Sequence, residues 1–350
     1  MSNFTSLDHY HIPSDLLVNM LSTYKNIGLN ESFDERLKNK KASLFNSSLL
    51  DDALSLAGFL KLNLTKDRLR LIITKDSNPR TIEEERAKAC KTVLESLRKS
   101  ASLDYPINSA DLLDCLKSLL GDKSIKFKDA NFVIQDRKDK TLRFTINNVL
   151  DEYEEAYKKQ LFEPIALGII ATMELYNIKP YTKGNELATI ILFYYVLIRS
   201  HAECFLYQGF FKSFLKDLAL FYDLIAKGSI NYDQGSLYFT DLLSYTFNLI
   251  SKNYCLMKKP LSDAKIEKQA LKSDVIEKAI IEELPAIFSK EDVRKIFPDA
   301  SDSTFKRVLE RLIKKQHIIP LGTGRSAKYQ KIVDYNSIEY LTGARKDNED

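Results

Sequence analysis

Residues 179–186 read KPYTKGNE, a polar stretch with one glycine, set between two strongly apolar runs. A loop that opens onto the first turn of a buried helix can turn backbone N–H groups toward an anion. Lys179 and Lys183 add two cations, which either hold phosphate oxygens as charged donors or lie solvated on the loop. Glu186 adds a carboxylate that can pair with either lysine and close such a site. Other chemistry is scarce. The four histidines, His9, His11, His201 and His317, all fall outside the loop, which limits where a general base can stand. The four cysteines, Cys90, Cys115, Cys204 and Cys255, form no CxxC pair and have no histidine at ligand spacing. They read as reduced, mostly buried thiols, and no metal site is expected.

Two helices must position the loop. One is expected at 163–178, with Pro164 suited to a first-turn position; the other at 187–198 is apolar all round, as a helix in the middle of a bundle must be. This second run is shorter than the roughly 20 residues of a membrane-spanning helix, so it reads as buried in protein. Helical apolar spacing recurs from Leu16 to about Cys255, predicting a mostly α body. Residues 127–144 break that pattern: a β-rich run containing Asn131, Phe132, Val133 and Ile134 precedes a charged turn and a second short run, which predicts a hairpin. The opening residues carry neither the basic start nor the apolar run of a signal peptide, so a cytoplasmic chain without a membrane partner is expected.

The net charge of +4 is unevenly spread. Residues 289–331 hold eleven Lys and Arg against five Asp and Glu, so the basic character belongs to one C-terminal segment. There, helices are expected at about 274–284, from Ser289 with Asp292 helping to cap it, and at about 301–316, followed by a short hairpin over 318–332 with its turn at 322–325. Three helices and a small hairpin make a winged helix. Its third helix sets Phe305, Val308, Leu309 and Leu312 toward a core and Ser303, Thr304, Lys306, Arg307 and Arg311 outward, with Arg325 and Lys328 on the wing. Such a face can neutralise phosphates of duplex DNA, or it can be a solvated surface on a protein-docking module.

The stretch IATMELYNIKPYTKGNELATIIL, 170–192, resembles the signature region of the Fic (Fido-domain) family, a helix, then HPFx(D/E)GNGRxxR, then a helix. The hairpin at 127–144 is similar to the family's target-positioning flap, the helices after residue 210 to its closing helices, and a trailing winged helix is a common appendage. The resemblance implies a mostly α fold divided into a Fic-like domain over 1–258 (an N-terminal helical part to about 105, then the core), a linker at 259–272, a winged helix at 273–332 and a tail at 333–350. In the family the histidine takes a proton from a target hydroxyl, the acidic residue holds magnesium on the nucleotide, and backbone and arginines cradle the phosphates. Here Lys179 stands in the histidine slot and Lys183 in the acidic slot; Glu186 replaces the second glycine; Leu187 and Ile190 replace the arginines. A lysine with an ordinary pKa of about 10.4 is protonated and accepts no proton. Pro180, Tyr181, Gly184 and Asn185 keep the pattern.

The family's inhibitory motif, S/TxxxE(G/N), finds its nearest match in DDALSLAGFL, where Ala53 and Ala57 replace the serine and glutamate before Gly58. Its glutamate and the second arginine are thus lost together, which avoids an uncompensated buried charge of about 3–5 kcal/mol. The resemblance therefore implies a protein similar to adenylyltransferases, with no catalytic residue expected and a regulatory or binding role through the winged helix. Two alternatives stay open: transfer of AMP or a related group by atypical chemistry, and sensing of an anionic nucleotide or metabolite. Lys179, Tyr181, Lys183, Gly184 and Asn185 are the phosphate-binding candidates, and ATP without magnesium is the nucleotide they could hold. A protein target or duplex DNA is the partner class; oligomeric state is not legible.

Overall fold

Helices follow the runs of apolar side chains at helical spacing, and the computed structural model describes residues 3–37, 40–75, 77–130, 141–269, 272–297, 300–322 and 327–332. In chain order they are α1 (Ser14–Ile27), α2 (Asn30–Leu37), α3 (Lys41–Phe59), α4 (Lys66–Lys75), α5 (Ile82–Ser102), α6 (Ser109–Leu120), α7 (Arg143–Lys158), α8 (Pro164–Ile178), α9 (Asn185–Arg199), α10 (Cys204–Tyr207), α11 (Phe210–Phe214), α12 (Leu218–Gly228) and α13 (Thr240–Gln269). The chain divides at 261/262 into two units, with α13 running through the division. The stretch read as a linker is thus helical as far as Gln269, and α14 (Lys272–Glu282) follows.

In the first unit α8 and α9 are the central pair. Every residue of α9 from Leu187 to Arg199 is buried, as is α8 from Ile165 to Leu175. Gly168 makes their approach possible, since a Cβ there would stand 2.8 Å from the Val196 side chain. Helix starts follow local chemistry. The Glu163 carboxylate accepts from the Ile165 and Ala166 N–H groups and receives the Tyr24 hydroxyl, fixing the start of α8 at Pro164. Asn108 and Asp111 form a reciprocal capping box on α6, which ends at left-handed Gly121.

One charged group lies deep in this unit. Arg98 on α5 is fully buried, paired with Asp52 of α3 at 2.8 Å and bonded to the Tyr194 hydroxyl of α9 at 2.7 Å and to Ser48 at 3.0 Å. Asp52 also accepts from the Phe211 N–H at 2.7 Å, so three helices and the α11 turn meet on one ion pair. Burial pushes the Asp52 carboxyl up to about 6 against the pull of Arg98. Ala53 and Ala57, in the segment likened to an inhibitory motif, are buried along the same helix.

The second unit holds α14, β1 (Ile287–Ser289), α15 (Lys290–Ile296), α16 (Asp302–Lys314), β2 (Ile318–Pro320) and β3 (Lys328–Lys331). The strands form an antiparallel sheet in the order β1-β3-β2, with Phe288 opposite Tyr329 and Pro320 opposite Tyr329 on the other side. Ser289 and Asp292 form a capping box on α15, and Ser301 caps α16. Phe305, Val308, Leu309 and Leu312 face a core with Ile276, Ile280, Phe288 and Tyr329. β1 was not among the sequence expectations; it is only three residues long and finds its partner some forty residues later.

Candidate functional site

The loop between α8 and α9 is held by its own asparagine. The Asn185 side chain accepts from the Tyr181 N–H at 2.9 Å and donates to the Tyr181 carbonyl at 2.7 Å, closing residues 181–185 into a tight turn. Gly184 begins α9 at φ 78°, and a Cβ there would meet Leu120 at 2.8 Å and Leu116 at 3.0 Å. The position therefore demands glycine for both its backbone angle and its space. Tyr181 is buried, its hydroxyl donating to the Ser109 carbonyl at 2.8 Å. Burial raises its phenol above the ordinary range, so it stays a protonated donor.

A short extended segment borders the loop. Lys128 N–H donates to the Pro180 carbonyl at 2.8 Å, and Thr182 N–H to the Lys126 carbonyl at 2.9 Å, an antiparallel bridge that sets Phe127 against Tyr181 at 5.3 Å between ring centroids. Asp129 bridges Thr141 in the same way. These are the two ends of the stretch read as a hairpin; Asn131, Phe132, Val133 and Ile134 lie outside the described residues.

The two lysines have different surroundings. Lys183 is held by Asp122, just past the end of α6, at 2.8 Å. That contact and the Ser124 donors keep the Asp122 carboxyl down at about 2. Lys179, at φ 47° in the left-handed C-cap of α8, is exposed and stands 5.3 Å from the ring centroid of Tyr176, with no carboxylate at ion-pair distance among the described residues. Glu186, expected as a partner for either lysine, has neither: its backbone carbonyl receives the Tyr222 hydroxyl at 3.0 Å, and its side chain is exposed. Leu187 and Ile190, in the arginine slots, are buried in the core. The first intrahelical bond of α9 joins Ala188 N–H to Gly184 carbonyl, so the N–H groups ahead of it have no acceptor within the helix.

Asp122, Tyr176 and Tyr222 are the site residues that sequence reasoning missed. Asp122 sits 61 residues from Lys183, and no local pattern joins the two; the GDKS turn at 121–124 is the one signal, as a carboxylate directly after a helix C-cap.

On α16 the candidate nucleic-acid residues also separate. Ser303, Lys306 and Arg307 are exposed and Thr304 half-buried at its N-terminal end; Lys306 lies 3.9 Å from Glu310. Arg311 and Lys315, further along, reach Glu277 of α14 at 3.4 and 2.5 Å. Lys328 is exposed on β3, and Arg325 lies outside the described residues. The face is thus largely exposed in its first half, with Lys306 near Glu310 of the same helix, and tied to α14 in its second.

No protein-family model matches the chain, and no curated protein matches it in sequence. Solved structures do resemble it. A Fic family protein from Desulfovibrio desulfuricans G20 superposes over 93% of this chain and 98% of its own at a TM-score of 0.55 and 12% identity. A Fic domain containing signaling protein from Bacteroides thetaiotaomicron covers 71% of this chain and 97% of its own, at a TM-score of 0.47 and 17% identity. Fic-1 from C. elegans covers 71% and 72%, at 0.47 and 14%. Nearly the whole chain therefore has the mostly α fold of a Fic family protein.

Proposed function

We propose that this Fic-fold chain has given up AMP transfer at its loop and acts as a regulatory or binding protein, with its second unit serving as a winged helix. The observation that carries this reading is the Lys183–Asp122 ion pair. Where the Fic pattern has a carboxylate to hold magnesium, an ammonium stands, its charge already met by a neighbouring carboxylate. Such a group repels a divalent cation, so magnesium does not fit this loop. Nor is a base at hand in the histidine slot: Lys179 is exposed, whereas lysine serves as a base where burial strips water from its ammonium. With Leu187 and Ile190 in the arginine slots, developing charge on a transferred phosphoryl would meet apolar side chains.

Incubation with labelled ATP and magnesium, alone and with added lysate proteins, tests the first half. No covalent AMP on any protein is expected, and a labelled band absent from a boiled control would overturn it. For the second unit, anisotropy of a labelled random duplex across a salt series is the measurement. Affinity that falls with salt, with a slope smaller by about one in Lys306→Ala, supports DNA contact through α16. No binding at low salt assigns the unit to protein docking instead.

A second reading, a metal-free anion sensor, is favoured by two features of the same loop: the exposed Lys179, with no carboxylate at ion-pair distance among the described residues, and the first-turn N–H groups of α9, which have no acceptor within the helix. ATP binding that ignores magnesium and is lost in Lys179→Glu would select it.

A further inference from the structure

Away from the loop, α3, α11 and α13 surround a cavity of about 480 Å³, within the size range of small-ligand pockets. Its rim and floor differ in chemistry. Three lysines stand around the rim, Lys212, Lys216 and Lys252. Lys212 is paired with Asp51 at 2.9 Å, whereas Lys216 and Lys252 have no carboxylate at ion-pair distance among the described residues. Asp217 is the remaining carboxylate of the lining, so the cavity wall carries three cations and two anions.

The floor is polar and fixed. Asn253 is 1% exposed and donates from Nδ2 to the Leu249 carbonyl at 2.8 Å, which sets the orientation of its amide. Its Oδ1 has no hydrogen-bond partner among the described residues and belongs to a side chain that lines the cavity, so it is an acceptor left for a ligand there. A buried acceptor calls for a donor in whatever fills the space above it. Next to it, Ser48 is spent on the Leu206 carbonyl and on Arg98, while Ser47 and Ser213 line the wall with hydroxyls.

We propose that this cavity binds a small phosphorylated sugar or polyol, its phosphate on Lys216 and Lys252 and a hydroxyl donated to Oδ1 of Asn253. The lysines supply charged donors to phosphate oxygens, and the amide oxygen distinguishes a hydroxylated ligand from a bare anion. None of these residues belongs to the α8–α9 loop, so the proposal stands apart from the fate of AMP transfer.

Calorimetric titration of the full chain with ribose 5-phosphate, ribose and inorganic phosphate tests it. Ribose 5-phosphate is expected to saturate, with ribose at least about tenfold weaker and a Lys216→Glu/Lys252→Glu double variant weakened to the same degree. Asn253→Ala should weaken ribose 5-phosphate while leaving inorganic phosphate as it was. The two lysines are exposed, so the double variant keeps its fold, which a melting curve verifies. Absence of saturation up to about 10 mM ribose 5-phosphate, or equal affinity in wild type and double variant, would overturn the site. Equal affinity for ribose 5-phosphate and inorganic phosphate would overturn the role of Asn253.

Discussion

The α8–α9 loop and helix α16 both show lysines and arginines to solvent, yet what stands behind those cations differs. In the loop one of two lysines is met by Asp122 from the end of α6, and the backbone around it is locked by Asn185. On α16 Glu277 collects Arg311 and Lys315 at the C-terminal half and leaves Arg307, Ser303 and the loosely paired Lys306 at the N-terminal half. A count of positive residues would treat both regions as anion sites. The carboxylates behind them make the first a shaped but largely neutralised loop and the second a graded surface whose open end is the helix start, where the dipole also favours anions.

Breaking the loop's shape is expected to have the largest effect. Gly184→Val puts a β-branched side chain at φ 78° and into Leu116 and Leu120, costing about 3–5 kcal/mol between backbone strain and overpacking, read as a drop in melting temperature. Asn185→Ala removes both bonds to Tyr181 and is expected to cost about 1–3 kcal/mol by denaturant titration. A melting curve unchanged in either variant would mean that the loop is not a built element.

The graded surface is sharpened by two substitutions on one helix. Arg307→Ala should weaken duplex binding by about tenfold at low salt, whereas Lys315→Ala, whose charge is already spent on Glu277, should change it by less than about twofold. Equal losses would erase the distinction between the two halves.

The smallest effect is electrostatic. In the folded chain the Asp122 carboxyl titrates near 2, held down by Lys183 and Ser124, against an ordinary value of about 3.9. A carboxyl depressed on folding stabilises the native state above its ordinary value, and that contribution is lost as pH falls through the folded one. Lys183→Met should bring the Asp122 titration, followed by carboxyl NMR, partway back toward about 3.9, with little change in stability at neutral pH. A titration that stays near 2 would mean that Ser124 alone holds it.

Local chemistry made much of this legible. Pro164, the Ser289–Asp292 box and the all-round apolar run of α9 each act within one turn, so the sequence marks those helices to within a few residues. The core side of α16 followed from helical spacing. What stayed hidden is non-local. Asp122 reaches Lys183 across 61 residues, Asp52 reaches Arg98 across 46, Glu277 gathers Arg311 and Lys315 from another helix, and β1 takes its identity from β3. Periodicity carries no information about which side chains meet after folding, and those meetings decide whether a lysine is available to a phosphate. Glu186, only three residues from Lys183, lies unpaired with either lysine.

The most direct test of the central claim, that the loop keeps its shape without the means to use a metal–nucleotide complex, is calorimetric titration with ATP in the presence and absence of magnesium. Wild-type affinity that does not rise on adding magnesium is the expected result, with Lys183→Glu as the comparison in which a carboxylate returns to the slot. Binding by the wild type that depends on magnesium would contradict the account, because Lys183 and Asp122 would then have to separate to admit the cation.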